Sequence, residues 1–104
     1  MAENNITTAV EFLRLVRAAK DVHLFFIKKD GEERLMHCTL DYSRIPKDKR
    51  PKNVDLPKIL ELINKHDTVR VYDLEKHGWR SVPFSRAKWV EDDNGVKYSI
   101  KRKG

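Results

Sequence analysis

The sequence is poor in the features that mark several large classes of protein. It has a single cysteine, Cys38, which excludes an internal disulfide bond. It has four glycines and no glycine-rich loop of the kind that cradles a phosphate group. No apolar run approaches the roughly 18 residues of a transmembrane helix, and the first residues lack the basic and then apolar pattern of a secretory signal. We therefore expect one cytoplasmic domain that spans residues 1–104 and has no membrane partner.

Catalytic and metal-binding patterns are missing as well. His37 and Cys38 are neighbours in an apolar stretch that predicts a strand, where adjacent side chains point to opposite faces and cannot share a metal ion. The remaining histidines have no partner at a ligand spacing: His23, His66 and His77. The acidic stretch 92–95 lacks the alternating oxygen ligands of a calcium loop, and a hairpin turn explains it better. We expect no catalytic residues, no metal site and no cofactor, and hence no enzyme.

Positive charge is present in excess, and it is concentrated in two places. The 22 Lys and Arg residues outnumber the 16 Asp and Glu residues, which gives a formal net charge of +6. Residues 44–58 and residues 97–103 each carry a net charge of +4. Such clusters are typical of proteins that bind polyanions, although a solubilising surface would have the same composition. The candidate phosphate contacts lie in a basic loop, 41–55, and a basic tail, 101–104: Arg44, Lys47, Lys49, Arg50, Lys52, Lys101, Arg102 and Lys103.

The first half of the chain predicts a helix followed by a β-hairpin. Thr8 and Glu11 have the spacing of a capping box, and the apolar residues after Thr8 recur at helical spacing, which predicts a helix over about 8–20. Residues 22–40 are rich in strand formers around Asp30 and Gly31, a pair that favours a type I′ turn. Both faces of this hairpin are apolar, so we expect both to be covered, one of them by the helix.

The second half predicts a short helix and several more strands. Asp55 is a suitable cap, and Pro57 is tolerated in the first turn, for a helix over 55–65. Alternating patterns then predict further strands: 68–74, 79–84 after a turn that ends at Gly78, and a last hairpin over 89–100. We expect a mainly β fold with α-helices, in which the short antiparallel strands form a small closed barrel without exposed edges.

Aromatic and basic residues of the later strands offer a second candidate surface. If Trp79 faces the core, Arg80 faces outward beside Arg70. One face of the sheet would then combine cations with aromatic rings that can stack on bases. This candidate face comprises Arg70, Tyr72 and Arg80, with Trp89 as a further member. The alternative is that Trp79 and Trp89 anchor the core and that Arg80 pairs with Asp73 or Glu75. The sequence leaves this choice open.

Two motifs resemble a known family. They are Val69-x-Val71-x-Asp73-Leu74-Glu75-x-x-Gly78-Trp79-Arg80-Ser81 and Arg34-x-Met36-x-Cys38-Thr39-Leu40, with the basic loop between them. Over about residues 9–91 the chain resembles small proteins of tailed bacteriophages described as WYL-like, Sm-like SH3 β-barrels. The resemblance implies a five-stranded barrel opened by an N-terminal helix, a phage origin and the cytoplasm of an infected bacterium. The Trp-Tyr-Leu triplet of the wider group is absent, and the helix predicted over 55–65 is an elaboration of the basic loop.

Three functions fit these observations. The first is a non-catalytic phage protein that binds DNA or RNA with low sequence specificity, since no recognition helix for base readout is present. It would act on gene expression or protect nucleic acid. The second is a module that binds and inhibits or redirects a bacterial host protein, and the third, by analogy with WYL regulators, is a barrel that holds a small nucleotide. The strand type, the host partner and self-association into homo-oligomers stay open.

Overall fold

The computed structural model of the protein describes residues 4–51 and 55–101. The helices and strands in chain order are β1 (Asn5–Ile6), α1 (Ala9–Ala18), β2 (Val22–Ile27), β3 (Glu33–Thr39), α2 (Leu56–His66), β4 (Thr68–Asp73), β5 (Gly78–Pro83), β6 (Ala87–Glu91) and β7 (Lys97–Ile100). Single turns of 3-10 helix lie at Tyr42–Arg44, Lys47–Lys49 and Phe84–Arg86. The expectation of a mainly β fold with two helices is therefore confirmed, including the helix inserted after the basic loop.

One sheet contains all the described strands, and it is larger and more open than predicted. Its order is β1-β7-β6-β2-β3-β4-β5, and the β1–β7 pair is parallel while the other pairs are antiparallel. The prediction of a closed five-stranded barrel is wrong in its closure and in its number of strands. The outer edge of β6 pairs with β7 rather than with β5, because β7 returns from β6 through a tight hairpin. As a result, β1 and β5 are the edges of a seven-stranded sheet.

Helix α1 begins where the sequence predicts, although one half of its cap is displaced. The Thr8 hydroxyl accepts a hydrogen bond from the Glu11 backbone N–H at 3.1 Å. The Glu11 carboxylate accepts from the Thr7 backbone N–H at 3.2 Å, one residue before the position that a capping box specifies. Downstream of this cap the apolar face of α1 is buried, with Phe12 and Val16 in the core.

The two helices and the sheet share one core. Phe12 of α1, Ile63 of α2, and Leu24 and Met36 of the β2–β3 hairpin belong to the same buried cluster. On the opposite face of that hairpin Leu35 is 50 % exposed. The expectation that both faces of the hairpin are covered is therefore wrong, because both helices contribute to the core on one side of the sheet.

The β2–β3 and β6–β7 hairpins use the same turn, which differs from the predicted type I′. Gly31 N–H donates to the Lys28 carbonyl at 2.9 Å, and Lys28 N–H donates to the Glu32 carbonyl at 2.8 Å. Gly95, Asp92 and Val96 repeat this arrangement. Only the glycine takes a positive φ in each, +88° and +81°, which is the pattern of a type I turn followed by a glycine bulge. Asp30 therefore keeps an ordinary backbone conformation, and the type I′ prediction is wrong.

The turn glycines provide a first stability test. A side chain at Gly31 has open space but a left-handed backbone, so we expect Gly31→Ala to lower the free energy of unfolding by about 1 kcal/mol. Gly78 also has open space, and its φ is not positive, so Gly78→Ala serves as the matched control and should be neutral or slightly stabilising. Urea unfolding measures both. Equal effects of the two substitutions would contradict this account of the turn.

Asp73 is a charged side chain within the core. It is 0 % exposed, and its carboxylate accepts from an Arg34 guanidinium N–H at 2.6 Å and from the backbone N–H groups of Glu75 and Lys76 at 2.9 and 3.0 Å. Burial by itself would raise the pKa of Asp73. The hydrogen bonds from Lys76 and Glu75 and the charge of Arg34 outweigh burial and lower the pKa below its ordinary value.

The lowered pKa predicts acid sensitivity. Because the folded-state pKa lies below the unfolded value, the ionised carboxylate stabilises the fold fully above about pH 4. This contribution is lost as the pH falls through the lower folded-state pKa. We expect Asp73→Asn to lower the free energy of unfolding by about 3 kcal/mol near pH 7, with a smaller difference from the natural protein at acid pH. Thermal unfolding across pH measures this, with the exposed Asp93→Asn as control, and a pH-independent difference would contradict it.

Candidate functional site

A concave cleft of about 770 Å³ opens between the end of α1, the segment 40–51, α2, β4 and β5. Part of its lining is apolar: Leu13, Leu40, Ile59, Leu62 and Val69. Five of the lining residues are cationic: Arg17, Lys20, Lys49, Lys58 and Arg70. Two are carboxylates, Asp41 and Asp55, so the formal net charge of the lining is +3. We call this site the basic cleft.

The cations reach the basic cleft from separate segments of the chain. Arg17 lies one helical turn after Leu13 on α1, and Lys20 follows the end of that helix. Lys58 lies in the first turn of α2, which Asp55 caps by accepting from the Lys58 backbone N–H at 3.1 Å. Arg70 projects from the middle of β4. The cleft is therefore a product of the tertiary fold, and no single stretch of sequence contains it.

Trp79 is held in place at the wall of the basic cleft. Its indole N–H donates to the Lys49 carbonyl at 2.8 Å, and its ring meets the Tyr72 ring edge-on with centroids 5.7 Å apart. The guanidinium carbon of Arg70 lies 5.7 Å from the Trp79 centroid. Trp79 is partly buried, so it joins the basic loop to the sheet while one part of it still lines the cleft.

The aromatic face that the sequence suggests does not form. Trp79 lies opposite Tyr72, and Arg80 lies opposite Val71. Since directly opposed residues share a face of the sheet, Arg80 and Arg70 point to opposite sides. Tyr72 is 1 % exposed and cannot stack on a ligand. The arrangement in which Arg80 lies beside Arg70 on one face is therefore not the one that the structure adopts.

Arg80 and Trp89 have other neighbours. The Arg80 Nε atom lies 4.0 Å from an Asp73 carboxylate oxygen, as the structural alternative for this residue expected. Trp89 stacks on Phe25 with ring centroids 5.5 Å apart, and the Lys97 ammonium lies 4.1 Å from the Trp89 centroid. Trp89 is therefore partly buried on another part of the sheet, away from the basic cleft.

The candidates of the basic loop and tail differ in their surroundings. Arg44 pairs with Asp21 at 2.7 Å, and the Arg50 Nε–H donates to the Ile45 carbonyl at 2.7 Å, so both have structural partners. Lys47 and Lys49 are exposed, and Lys49 borders the basic cleft. Lys101 is joined to the sheet through its backbone N–H, which donates to the Ile6 carbonyl. The remaining candidates lie outside the described residues: Lys52, Arg102 and Lys103.

The cations around the basic cleft have no such partners. Among the residues that the structure describes, none of the five forms an ion pair with a carboxylate, and all five are exposed. Sequence reasoning missed Arg17, Lys20 and Lys58 as site residues. Their local signals are a position on the polar side of a predicted helix and, for Lys58, a place in the basic segment 44–58, and solubilising residues share both.

Two further titratable groups have perturbed pKa values, Asp41 at the cleft and Cys38 in the core. Hydrogen bonds from the hydroxyl and backbone N–H of Ser43 lower the pKa of Asp41, so a carboxylate stays ionised at the edge of the basic cleft. Burial raises the pKa of Cys38 to about 12, with smaller contributions from Asp73 and Asp21. Cys38 is therefore a buried thiol that packs in the core, as expected.

Within residues 4–51 and 55–101, no group of three or more His, Cys, Asp or Glu side chains is arranged to hold a metal ion. None of the helices in the described part of the chain combines the length and the apolar character that crossing a membrane requires.

Comparison with known families supports the expected Sm-like, SH3-like fold class, although the described strands form one open seven-stranded sheet. Residues 16–86 match the model of the WYL_2 family, described as an Sm-like SH3 β-barrel fold. The chain belongs to this family. The WYL_2 match spans β2 to β5 and α2, together with every residue around the basic cleft except Leu13. No curated protein and no solved structure shows a significant match to the chain.

The Trp79 hydrogen bond predicts that this ring fastens the basic loop. We expect Trp79→Phe to lower the free energy of unfolding by about 1 kcal/mol through the lost bond to Lys49. In the folded protein, trypsin should then cleave after Lys47 and Lys49 faster than in the natural protein. Trp89→Phe leaves the Lys49 contact intact and is the control. Equal cleavage rates in the two variants would show that Trp79 does not fasten the loop.

Proposed function

We propose that the protein is a non-catalytic nucleic-acid-binding protein of low sequence specificity, and that the basic cleft with its surrounding cations is the binding surface. The observation that carries the proposal is the set of exposed cations without ion pairs around one concavity. Like charges that a fold brings together repel one another unless an anion lies between them. A phosphate backbone supplies such anions at regular spacing.

The convergence of cations on one cleft favours a binding surface over a merely solubilising one. Arg34 and Arg80 face Asp73, and Arg44 faces Asp21, so these cations have structural roles. None of the cations around the basic cleft forms an ion pair in the described chain, and they converge from α1 and its end, α2, β4 and the basic loop. Phosphate contacts of this kind give affinity without sequence readout, in keeping with the low specificity that we propose.

The proposal includes a biological setting. On the resemblance of the two sequence motifs to proteins of tailed bacteriophages, we propose that the chain is a phage accessory protein that acts in the cytoplasm of the infected bacterium. There it would act on gene expression or protect nucleic acid. A second candidate function is the binding of a host protein, favoured by the edge position of β5 and by the 50 % exposure of Leu35.

Fluorescence anisotropy with labelled DNA and RNA tests the proposal. We expect binding that weakens steeply between about 50 and 200 mM salt. The triple variant Arg17→Gln, Lys20→Gln, Lys58→Gln should bind more weakly, with a log–log salt slope reduced by about three, because each lost phosphate contact reduces it by about one.

A matched variant controls for overall charge. The substitutions Lys29→Gln, Lys76→Gln and Lys88→Gln also remove three charges from exposed residues, none of which lines the basic cleft. This variant should bind nearly as the natural protein does. If both triple variants lost the same affinity, net charge alone would account for the loss, and the basic cleft would have no special role. No binding at low salt would overturn the proposal and favour the host-protein alternative, which affinity capture with purified bacterial proteins would then test.

A further inference from the structure

We propose that the basic cleft holds one unpaired nucleotide, with the base against the apolar and aromatic lining and the phosphate among the surrounding cations. The protein would then prefer single strands to duplexes. This inference rests on the proposed function and names the substrate class of the same site. It depends on the shape of the cleft and on the chemical division of its lining, which the charge argument does not use.

The volume of the basic cleft favours an enclosed ligand over contacts with a flat charged surface alone. Its volume of about 770 Å³ lies in the range of sites that enclose small molecules. A duplex keeps its bases stacked inside, so it can offer such a cleft only backbone atoms. A base can enter only when it is unstacked, as in a single strand or a free nucleotide.

The lining of the basic cleft has an apolar part for a base and a cationic part for a phosphate, as a nucleotide requires. Apolar side chains from three elements, Leu13, Ile59 and Val69, share the cleft with the ring of Trp79. Every base has an apolar aromatic face that stacks on such a ring regardless of sequence. The cations of the same cleft can neutralise a phosphate, and Arg70 can do so beside the Trp79 ring, since its guanidinium lies 5.7 Å from the ring centroid.

Trp79 is fixed before any ligand arrives. The hydrogen bond to the Lys49 carbonyl and the contact with Tyr72 determine the position of the ring. A ring that is already ordered loses little conformational entropy when a base stacks on it. The hydrogen bond to Lys49 also holds the basic loop at the cleft, so that the base and the phosphate of one nucleotide meet their partners together.

The carboxylate of Asp41 restricts the class of ligand that fits the basic cleft. It lines the same cleft, and both of its hydrogen bonds from Ser43 go to Oδ1. A carboxylate repels phosphate and accepts hydrogen bonds from N–H and O–H groups. Inorganic polyphosphate offers it no donor, whereas the exocyclic amino group of a base or a sugar hydroxyl does. A ligand with negative charge, donors and a flat apolar face satisfies the whole lining, and a nucleotide has all three.

A variant that fills the cleft without changing its charge tests this inference. Ala18 is exposed and lines the cleft, so Ala18→Trp should obstruct it. We expect the natural protein to bind a labelled single strand of about 15 nucleotides at least tenfold more tightly than a duplex of equal length. Ala18→Trp should lose this preference and keep the duplex affinity. Ser99 is an exposed residue of β7. Ser99→Trp is therefore the matched control and should bind as the natural protein does.

The outcomes separate the inference from the proposed function. If Ala18→Trp binds single strands normally while the triple variant at Arg17, Lys20 and Lys58 does not, base insertion is wrong and the electrostatic surface remains. If the natural protein prefers duplexes, the inference is likewise wrong. If it binds neither form at low salt, both proposals fail.

A direct readout avoids dependence on the folding of Ala18→Trp. In Trp89→Phe, Trp79 is the remaining tryptophan, because the chain has two. Adenosine monophosphate should quench its fluorescence saturably, whereas inorganic phosphate at equal concentration should not, since only the nucleotide brings a base to the ring. Equal quenching by the two ligands, or none by the nucleotide, would overturn the placement of the base.

Discussion

The carboxylate of Asp73 has no exposed surface, and donors from two parts of the chain surround it. Arg34 reaches it from β3, while the backbone N–H groups of Glu75 and Lys76 reach it from the turn after β4. An ionised carboxylate is stable in a core only when such donors are in place. Asp73 therefore fixes where β4 ends and how β3 and β4 meet, and the rest of the β4–β5 hairpin follows from that position.

The register of this hairpin determines the site. Because Asp73 is opposed to Gly78, Tyr72 is opposed to Trp79, and both rings lie on the face that the basic loop covers. A shift of one residue would turn Trp79 to the other face and place Arg80 beside the loop instead. The helix α2 then completes the cleft, since it contacts β4 and supplies Ile59, Leu62 and Lys58.

Local signals predicted much of the fold, and non-local pairing accounts for what they missed. The caps at Thr8 and Asp55 predicted both helices, because a cap needs only neighbours in sequence. Gly31 marked a turn without identifying its type, since a glycine also ends a type I turn with a bulge. The facing of Trp79 depends on strand register, and strand β1, which the sequence analysis missed, depends on the free edge of β7. Neither can be derived from the residues nearby.

The same distinction applies to charge. The net charge of +6 correctly indicates an excess of cations, but composition cannot tell a cation with a structural partner from one without. Arg44 belongs to the densest basic stretch and yet pairs with Asp21, whereas Arg17 lies on an ordinary helix, Lys20 follows the end of that helix, and both border the cleft. Since an ion pair already neutralises a cation, its contribution to binding a polyanion is reduced. The cations to which we assign binding are those that the fold gathers around one cleft without ion pairs, and only the tertiary arrangement identifies them.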